Sequence, residues 1–395
     1  MKEWTVVVAG GGYAGIHAVK AVWKQYGAHA EGRKLRLLLL DPNSYHLRKV
    51  LLFKPAVGAD PITVPWQQIL PETAEHVQGK ARHVDADAKV LEYEDAEGKF
   101  VRLAYDTLVV AIGSVARETE SALGGIALTG MESAVRIREA WSYNMQAARV
   151  ENNAGEHRRL LTAAVAGAGI TGIETASELA YAMREEAARQ GLNPEEIRVH
   201  LLNAQDRLFQ EGSVKASRKL EEELAKCGVS VHHRSKAVRE ENGSLLLSSG
   251  GALQVSLTVW TLGLVPNPAI RSFGLPVTKD GRLIVDECYR VKDARGVYAI
   301  GDCAFIVDPD NGEAARMTCK EAIPQAQRLG KIIAADKNGS QAPRHKQVMD
   351  GFTIGLGPGR GMTWTRKWGL DIIISGSLSY KIKRFVWDYA SMLKS

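Results

Sequence analysis

Two short stretches of this chain carry glycines at the spacing that lets a backbone wrap a pyrophosphate. In VVVAGGGYAG, residues 6–15, Gly10, Gly12 and Gly15 form G-x-G-x-x-G directly after an apolar run, and in AAVAGAGITG, residues 163–172, Gly167, Gly169 and Gly172 repeat it. The chemistry asked of such a loop is anion binding. The first glycine permits a tight turn, the second lets backbone approach the phosphates, and the third lets the following helix pack on the strand. Tyr13 and Ala14 lie at the start of that helix, where free N–H groups and the helix dipole favour a phosphate.

Each cradle needs a strand before it, a helix after it and a second strand beyond. The first has Val6 to Ala9, then IHAVKAVWKQY, then LRLLLLD ending in Asp41, whose carboxylate can accept both hydroxyls of an adenosine ribose. Asp41 comes 26 residues after Gly15, late against the usual ~20, and GAHAEGRK accounts for the delay. The second copy has LLTAAVA, then IETASELAYAMREEAA, then IRVHLLN ending in Asn203. An acid at this position favours NADH and repels a 2'-phosphate. Here none stands, and no arginine replaces it in Ala204 or Gln205, so the choice between NADH and NADPH is left open.

A chain of 395 residues with 45% hydrophobic content has room for two or three globular domains. No stretch reaches 18 uninterrupted apolar residues, and the first strand begins within five residues, so neither a membrane span nor a signal peptide is expected and the reading is a cytosolic protein. Cys227, Cys288, Cys303 and Cys319 are scattered singly, which predicts reduced structural thiols and no metal site. His232 and His233 are adjacent on a strand and so point to opposite faces. Residues 344–395 hold nine Lys and Arg against three Asp, so the tail alone carries the whole chain's net charge of +6. The basic residues are not interleaved on a recognition motif, and nucleic acid is not an expected partner.

GVYAIGDCA at 296–304 and DTLVVAIGS at 106–114 complete a layout that resembles the two-dinucleotide-binding-domain flavoproteins, the pyridine nucleotide-disulfide oxidoreductase superfamily. Members that reduce disulfides carry a CxxC or CxxxxC near the flavin, and this chain has neither. PNSYHLRKVLLFKPAVGADPITVPWQQIL after Asp41, VWTLGLVPNP at 259–268 and GIE at 172–174 are instead similar to type II NADH dehydrogenases. The ending, FTIGLGPGRGMTWTRKWGLDIIISGSLSYKIKRFVW, looks more like the apoptosis-inducing-factor-like quinone reductases. IPQAQRLG at 323–330 departs from the quinone-side pattern A-Q-x-A-x-Q-Q-G, with Pro324 and Arg328 at glutamine positions.

The resemblance implies an α/β fold of two Rossmann-like domains, the second inserted in the first, plus a C-terminal segment ending in an amphipathic helix. Residues 1–118 and 268–335 would bind FAD, residues 119–267 would bind NADH or NADPH, and 336–395 would form the tail. Asp302 would reach the ribityl-pyrophosphate region, with Ala81 and Gly113 also among the cofactor-binding residues. Hydride transfer from nicotinamide to flavin needs stacking and positioning more than an acid or base. Glu174, expected at the first turn of the second cradle's helix, would bond the carboxamide or ribose, and Gly263 would let backbone approach the nicotinamide. A helix over 319–334 would aim its N-terminus at the flavin, with Lys320, Pro324 and Gln325 on the face the oxidant reaches. His46 is a further candidate for flavin contact.

The implied activity is an FAD-dependent NAD(P)H:quinone oxidoreductase, with reduction of a small soluble redox protein, or slow-turnover NADH sensing, as the alternatives. Residues 378–394 place Leu378, Ile382, Phe385, Val386, Tyr389, Met392 and Leu393 on one helical arc, with Trp387 opposite. Such a helix can rest in an anionic membrane interface, on the inner face of the cell membrane, or pack on the body or on a second subunit of a homodimer.

Overall fold

A computed structural model describes residues 3–27, 29–30, 33–58, 61–348 and 350–394. The first sheet runs in the order Val297–Ala299, Thr107–Val110, Glu3–Ala9, Arg33–Asp41, Ala74–Asp85, all parallel, and continues antiparallel through Val90–Asp95 and Phe100–Ala104. Its central strands are nearly continuous runs of Val and Leu. Such runs suit a parallel sheet covered on both faces, and Val6, Val7, Val8, Leu38 and Leu39 are fully buried. The helix Tyr13–Tyr26 packs against the long helix Cys319–Asn338 on one side of this sheet.

The second sheet orders Ile126–Ala127, Leu257–Trp260, Thr162–Ala166, Arg198–Leu202 and Val229–His232, again all parallel. Its strands lie between Thr107–Val110 and Val297–Ala299 in the chain, so the second Rossmann-like unit interrupts the first. The two crossings run side by side, Ser114–Ala116 pairing antiparallel with Leu264–Pro266. All four cysteines are free thiols.

Gly351–Gly355, Gly361–Lys367 and Leu370–Ser375 form a three-stranded antiparallel sheet, followed by the helix Ser377–Ala390. One face of that sheet sets Phe352 and Trp364 edge-on against Phe209 of the second unit, at 5.1 and 5.4 Å. The other face carries the helix, with Thr363 and Ser379 hydroxyls 2.8 Å apart. Among the described residues no helix is long and apolar enough to cross a membrane.

The helix faces the body with the side opposite to its apolar stripe. Ser379, Lys383, Trp387 and Ala390 are buried, whereas Leu378, Phe385, Val386, Tyr389 and Leu393 are exposed and Ile382 and Met392 are half-buried. Packing on the body, one of the expected arrangements, holds only at the edge of the stripe, where Met392 packs against the first unit's core and the Tyr389 hydroxyl accepts from Gln327. Trp387 lies against Phe53, with ring centroids 6.0 Å apart, so its place opposite the stripe is a packing contact.

Candidate active site

The two cradles share one construction. Gly10 and Gly167 adopt φ of 107° and 118°, the left-handed region that glycine tolerates. A Cβ on Gly15 would fall 1.7 Å from the Gly10 carbonyl oxygen, and one on Gly172 would fall 1.9 Å from that of Gly167, so these third glycines let helix close on strand. Gly12 and Gly169 differ from both: nothing lies within 4 Å of where their Cβ would be. Each is an N-cap without a side-chain cap, and neither helix has an acid in its first turn. The N–H groups of Tyr13, Ala14 and Gly15 therefore have no side-chain acceptor at the cap and open space before them. This fits a pyrophosphate.

Asp41 is fixed for its part. Its Oδ2 accepts from the Gly11 N–H at 2.6 Å and its Oδ1 accepts from the backbone and side chain of Asn43 at 2.8 and 3.0 Å. Trp66 closes over this corner, donating to the Asn43 carbonyl, and its ring would sit 2.3 Å from a Gly11 Cβ. Gly11, the variable position of the motif, is thus sterically required. His46 is fully buried, its Nδ1 2.9 Å from the Gly11 carbonyl oxygen, and burial pushes its pKa down to about 4. The His46 Nε2, beside the Tyr13 ring, is a buried polar atom without a hydrogen-bond partner among the described residues. Such an orphan fits a polar cofactor. Ala81 lies beyond Gln78, which pairs with Asp41, at a bulge where its strand has already turned to Tyr93.

At the far end of the first unit the turn Gly301–Cys303 holds Asp302, whose carboxylate accepts from the Ser114 hydroxyl at 2.6 Å. Lys49 donates to the Ser114 carbonyl at 2.5 Å. Burial pushes Asp302 up and Lys49 down, and each charge opposes the shift of the other. Sequence reading passed over Lys49 and Ser114. Gln325 is also built into this turn: it is 2% exposed, and its Oε1 accepts from the Gly301 N–H at 2.8 Å. It points inward to brace the Gly-Asp turn, which corrects its expected place on the oxidant's face.

Lys320 donates to the Gly351 carbonyl at 3.1 Å and lies over the Phe352 ring, so the C-terminal sheet holds its ammonium. Arg328 likewise turns away, toward the Tyr289 hydroxyl and the Lys346 carbonyl. The helix itself is longer than expected, Cys319–Asn338, with Pro324 inside it.

Glu174 is the fifth residue of helix Ile170–Gln190, not a first-turn acid. It is buried, accepts from the Gly355 N–H at 2.9 Å and pairs with Lys383 at 2.8 Å, while Lys383 also donates to the Thr353 carbonyl at 2.6 Å. Glu178, one turn on and also buried, pairs with Lys54 at 2.7 Å. The Cys319 thiol reports what surrounds it: burial pushes it up, Lys383 lowers it, and Asp302 and Glu174 raise it. Lys383 thus ties the C-terminal helix to the cradle helix of the second unit, while Gln325 ties the helix Cys319–Asn338 to the Gly-Asp turn of the first. Sequence reading passed over Lys383, whose partner Glu174 lies far away in the chain.

The second cradle opens on a cleft of about 320 Å³ lined by Gly167, Gly169, Ile173, Asn203, Arg207 and Gln210. Asn203 donates to the Gln205 carbonyl and accepts from its N–H, and its amide lies 3.0 Å from His233. Arg207 is spent on the carbonyls of Phe209, Gln210 and Gly212 and on Ser217. Gly113 and Gly263 stand at the two crossings between units, with φ of 67° and 83° and open space at the Cβ position. His232 turns from His233 toward His200, 2.9 Å away. A larger shallow depression of about 620 Å³ between Gln25 and Arg344 contains none of these residues.

Residues 4–328 match the family model described as pyridine nucleotide-disulphide oxidoreductase. The chain is 25% identical over 363 residues to the type II NADH:quinone oxidoreductase of Haemophilus influenzae, covering 84% of this chain and 80% of that one. It is 26% identical over 375 residues to an internal alternative NAD(P)H-ubiquinone oxidoreductase A1, mitochondrial, of Solanum tuberosum, covering 89% and 72%. In fold it is similar to NDH2 of Plasmodium falciparum solved in complex with NADH, with a TM-score of 0.81 at 17% identity, over 99% of this chain and 97% of that one.

Proposed function

The chain belongs to the pyridine nucleotide-disulphide oxidoreductase family, and from that premise we propose that it is an FAD-dependent NAD(P)H:quinone oxidoreductase. The observation that carries the proposal is the presence of two open glycine cradles in one chain, each opening a helix without a side-chain cap, with Asp302 held by Ser114 at the far end of the first unit. Residues 1–118 and 268–335 serve the flavin, residues 119–267 the nicotinamide, and 336–395 cover the place where they meet. FAD, when bound, supplies the ring that takes a hydride from the nicotinamide and passes two electrons on.

The protein's own residues position. The Tyr13, Ala14 and Gly15 N–H groups and Asp41 hold the adenosine pyrophosphate end, while Asp302, set by Ser114 and Gln325, holds the ribityl end. Gly167, Gly169 and Asn203 receive the dinucleotide, and Gly263 lets its nicotinamide end approach. Glu174, fixed by Lys383 and the Gly355 N–H, presents a buried carboxylate at the junction, and Lys320 stands at the rim of the C-terminal sheet. A quinone as acceptor is supported by the names of the two curated relatives. The outward stripe of helix Ser377–Ala390 supports contact with a membrane surface, where such an acceptor dissolves.

The test is anaerobic reduction of the purified protein by NADH and by NADPH, followed by reoxidation with a panel of quinones. Fast bleaching of the flavin and fast recovery with a quinone are expected. Bleaching followed by recovery only with a soluble redox protein would replace the quinone, and bleaching without turnover would make the protein a sensor.

A further inference from the structure

The apolar surface does not end with the helix. Leu370–Ser375 is the edge strand of the C-terminal sheet, reached through a hairpin turn at Trp368 and Gly369, both with positive φ. Trp368 at the tip is 87% exposed, Leu370 69% and Ile372 47%. Register decides which way they face. Leu370 and Ile372 alternate with Asp371, whose carboxylate accepts from Trp364 Nε1 on the face turned to the second unit. They therefore share the face that bears the helix, where Thr363 meets Ser379. The helix's exposed Leu378 follows directly after the strand.

Charge selects the partner. Lys367, Lys381 and Arg384 are exposed on the hairpin and helix, whereas Arg366 lies on the Trp364 face beside Asp371. Of the two acids of this segment, Asp371 accepts from Trp364 and lies 4.0 Å from Arg366, and Asp388 pairs with Arg48 at 2.8 Å and with Lys394 at 3.4 Å, so Lys367, Lys381 and Arg384 keep the rim basic. An exposed tryptophan beside Lys367, with aliphatic neighbours and a basic rim, matches the headgroup level of an anionic bilayer. We propose that the hairpin Gly361–Ser375 is a second membrane-inserting element, its Trp368 tip and edge strand entering an anionic lipid surface alongside the C-terminal helix. This rests on the membrane contact proposed above and adds a docking element to it.

The test uses the full flavin-loaded chain and vesicles of phosphatidylcholine with one third phosphatidylglycerol, with and without brominated acyl chains. Brominated vesicles should quench part of the tryptophan emission, and Trp368→Phe should remove that part while the chain still sediments with vesicles. Leu370→Ser with Ile372→Ser should weaken sedimentation at least tenfold with flavin content unchanged. Equal quenching of the Trp368→Phe chain, on vesicles that bind the native chain, would overturn the inference and leave the helix as the contact. A native chain that fails to sediment with anionic vesicles would overturn the membrane reading itself. A shift from dimer to monomer in the double variant without lipid would assign the face to a second copy instead, and overturn the inference.

Discussion

Asp302 carries little of its own solvation and depends on Ser114, at 2.6 Å, and on the charge of Lys49. A hydrogen bond to a charged acceptor is worth about 1.5–3 kcal/mol, so Asp302→Ala should weaken FAD by roughly ten- to a hundredfold if it holds the ribityl chain. Flavin content after gel filtration measures this, and full retention would remove Asp302 from the site. Asn203 calls for a different test. Asn203→Glu places a carboxylate that accepts ribose hydroxyls and repels a 2'-phosphate. The ratio of kcat/KM for NADH over NADPH should rise by about tenfold or more, and an unchanged ratio would mean that another residue reads the ribose. These positions were legible because motif spacing names them. Lys49, Ser114 and Gly11 were not, since their roles come from contacts with Ser114, Asp302 and Trp66 respectively that no local pattern encodes.

At the scale of elements, both Rossmann-like units could be read from strand, turn and helix in order, because burial on two faces leaves continuous apolar runs. The C-terminal helix showed its amphipathic period but not which side faces in. That depends on Glu174 and Arg48, which take Lys383 and Asp388 across long sequence distances. Truncation after Gly376 would uncover Phe53 and Glu174, so loss of the helix should destabilise the fold as well as any membrane contact. A sharper probe is Lys383→Met, which leaves Glu174 buried without its cation. Breaking a buried pair costs about 3–5 kcal/mol, and Lys383→Met combined with Glu174→Gln should recover much of it. Urea unfolding of the two single variants and the double variant measures the coupling. Additive losses would mean that the pair contributes no stability of its own.

Across the whole molecule, the segment joining the first unit to the tail is pinned at His345, whose N–H donates to the Glu287 carbonyl at 2.7 Å and whose ring meets the Tyr289 hydroxyl at 3.0 Å. His345 and His46 are both buried, and burial pushes each pKa from 6.5 to about 4. The folded state then binds fewer protons than the unfolded state between those values. The stability held by the neutral rings is complete above the unfolded pKa near 6.5 and drains away as pH falls toward 4. Each ring should contribute on the order of 1–3 kcal/mol across this window. The melting temperature of the flavin-loaded chain should therefore drop as pH is lowered from about 6.5, and His345→Gln, which cannot take up the proton, should flatten that drop. The His345→Gln chain is the decisive arm. If its profile between neutral pH and pH 4 runs parallel to that of the native protein, His345 is already protonated or open to water in the folded state, and the joint between the first unit and the tail is looser than its hydrogen bonds imply.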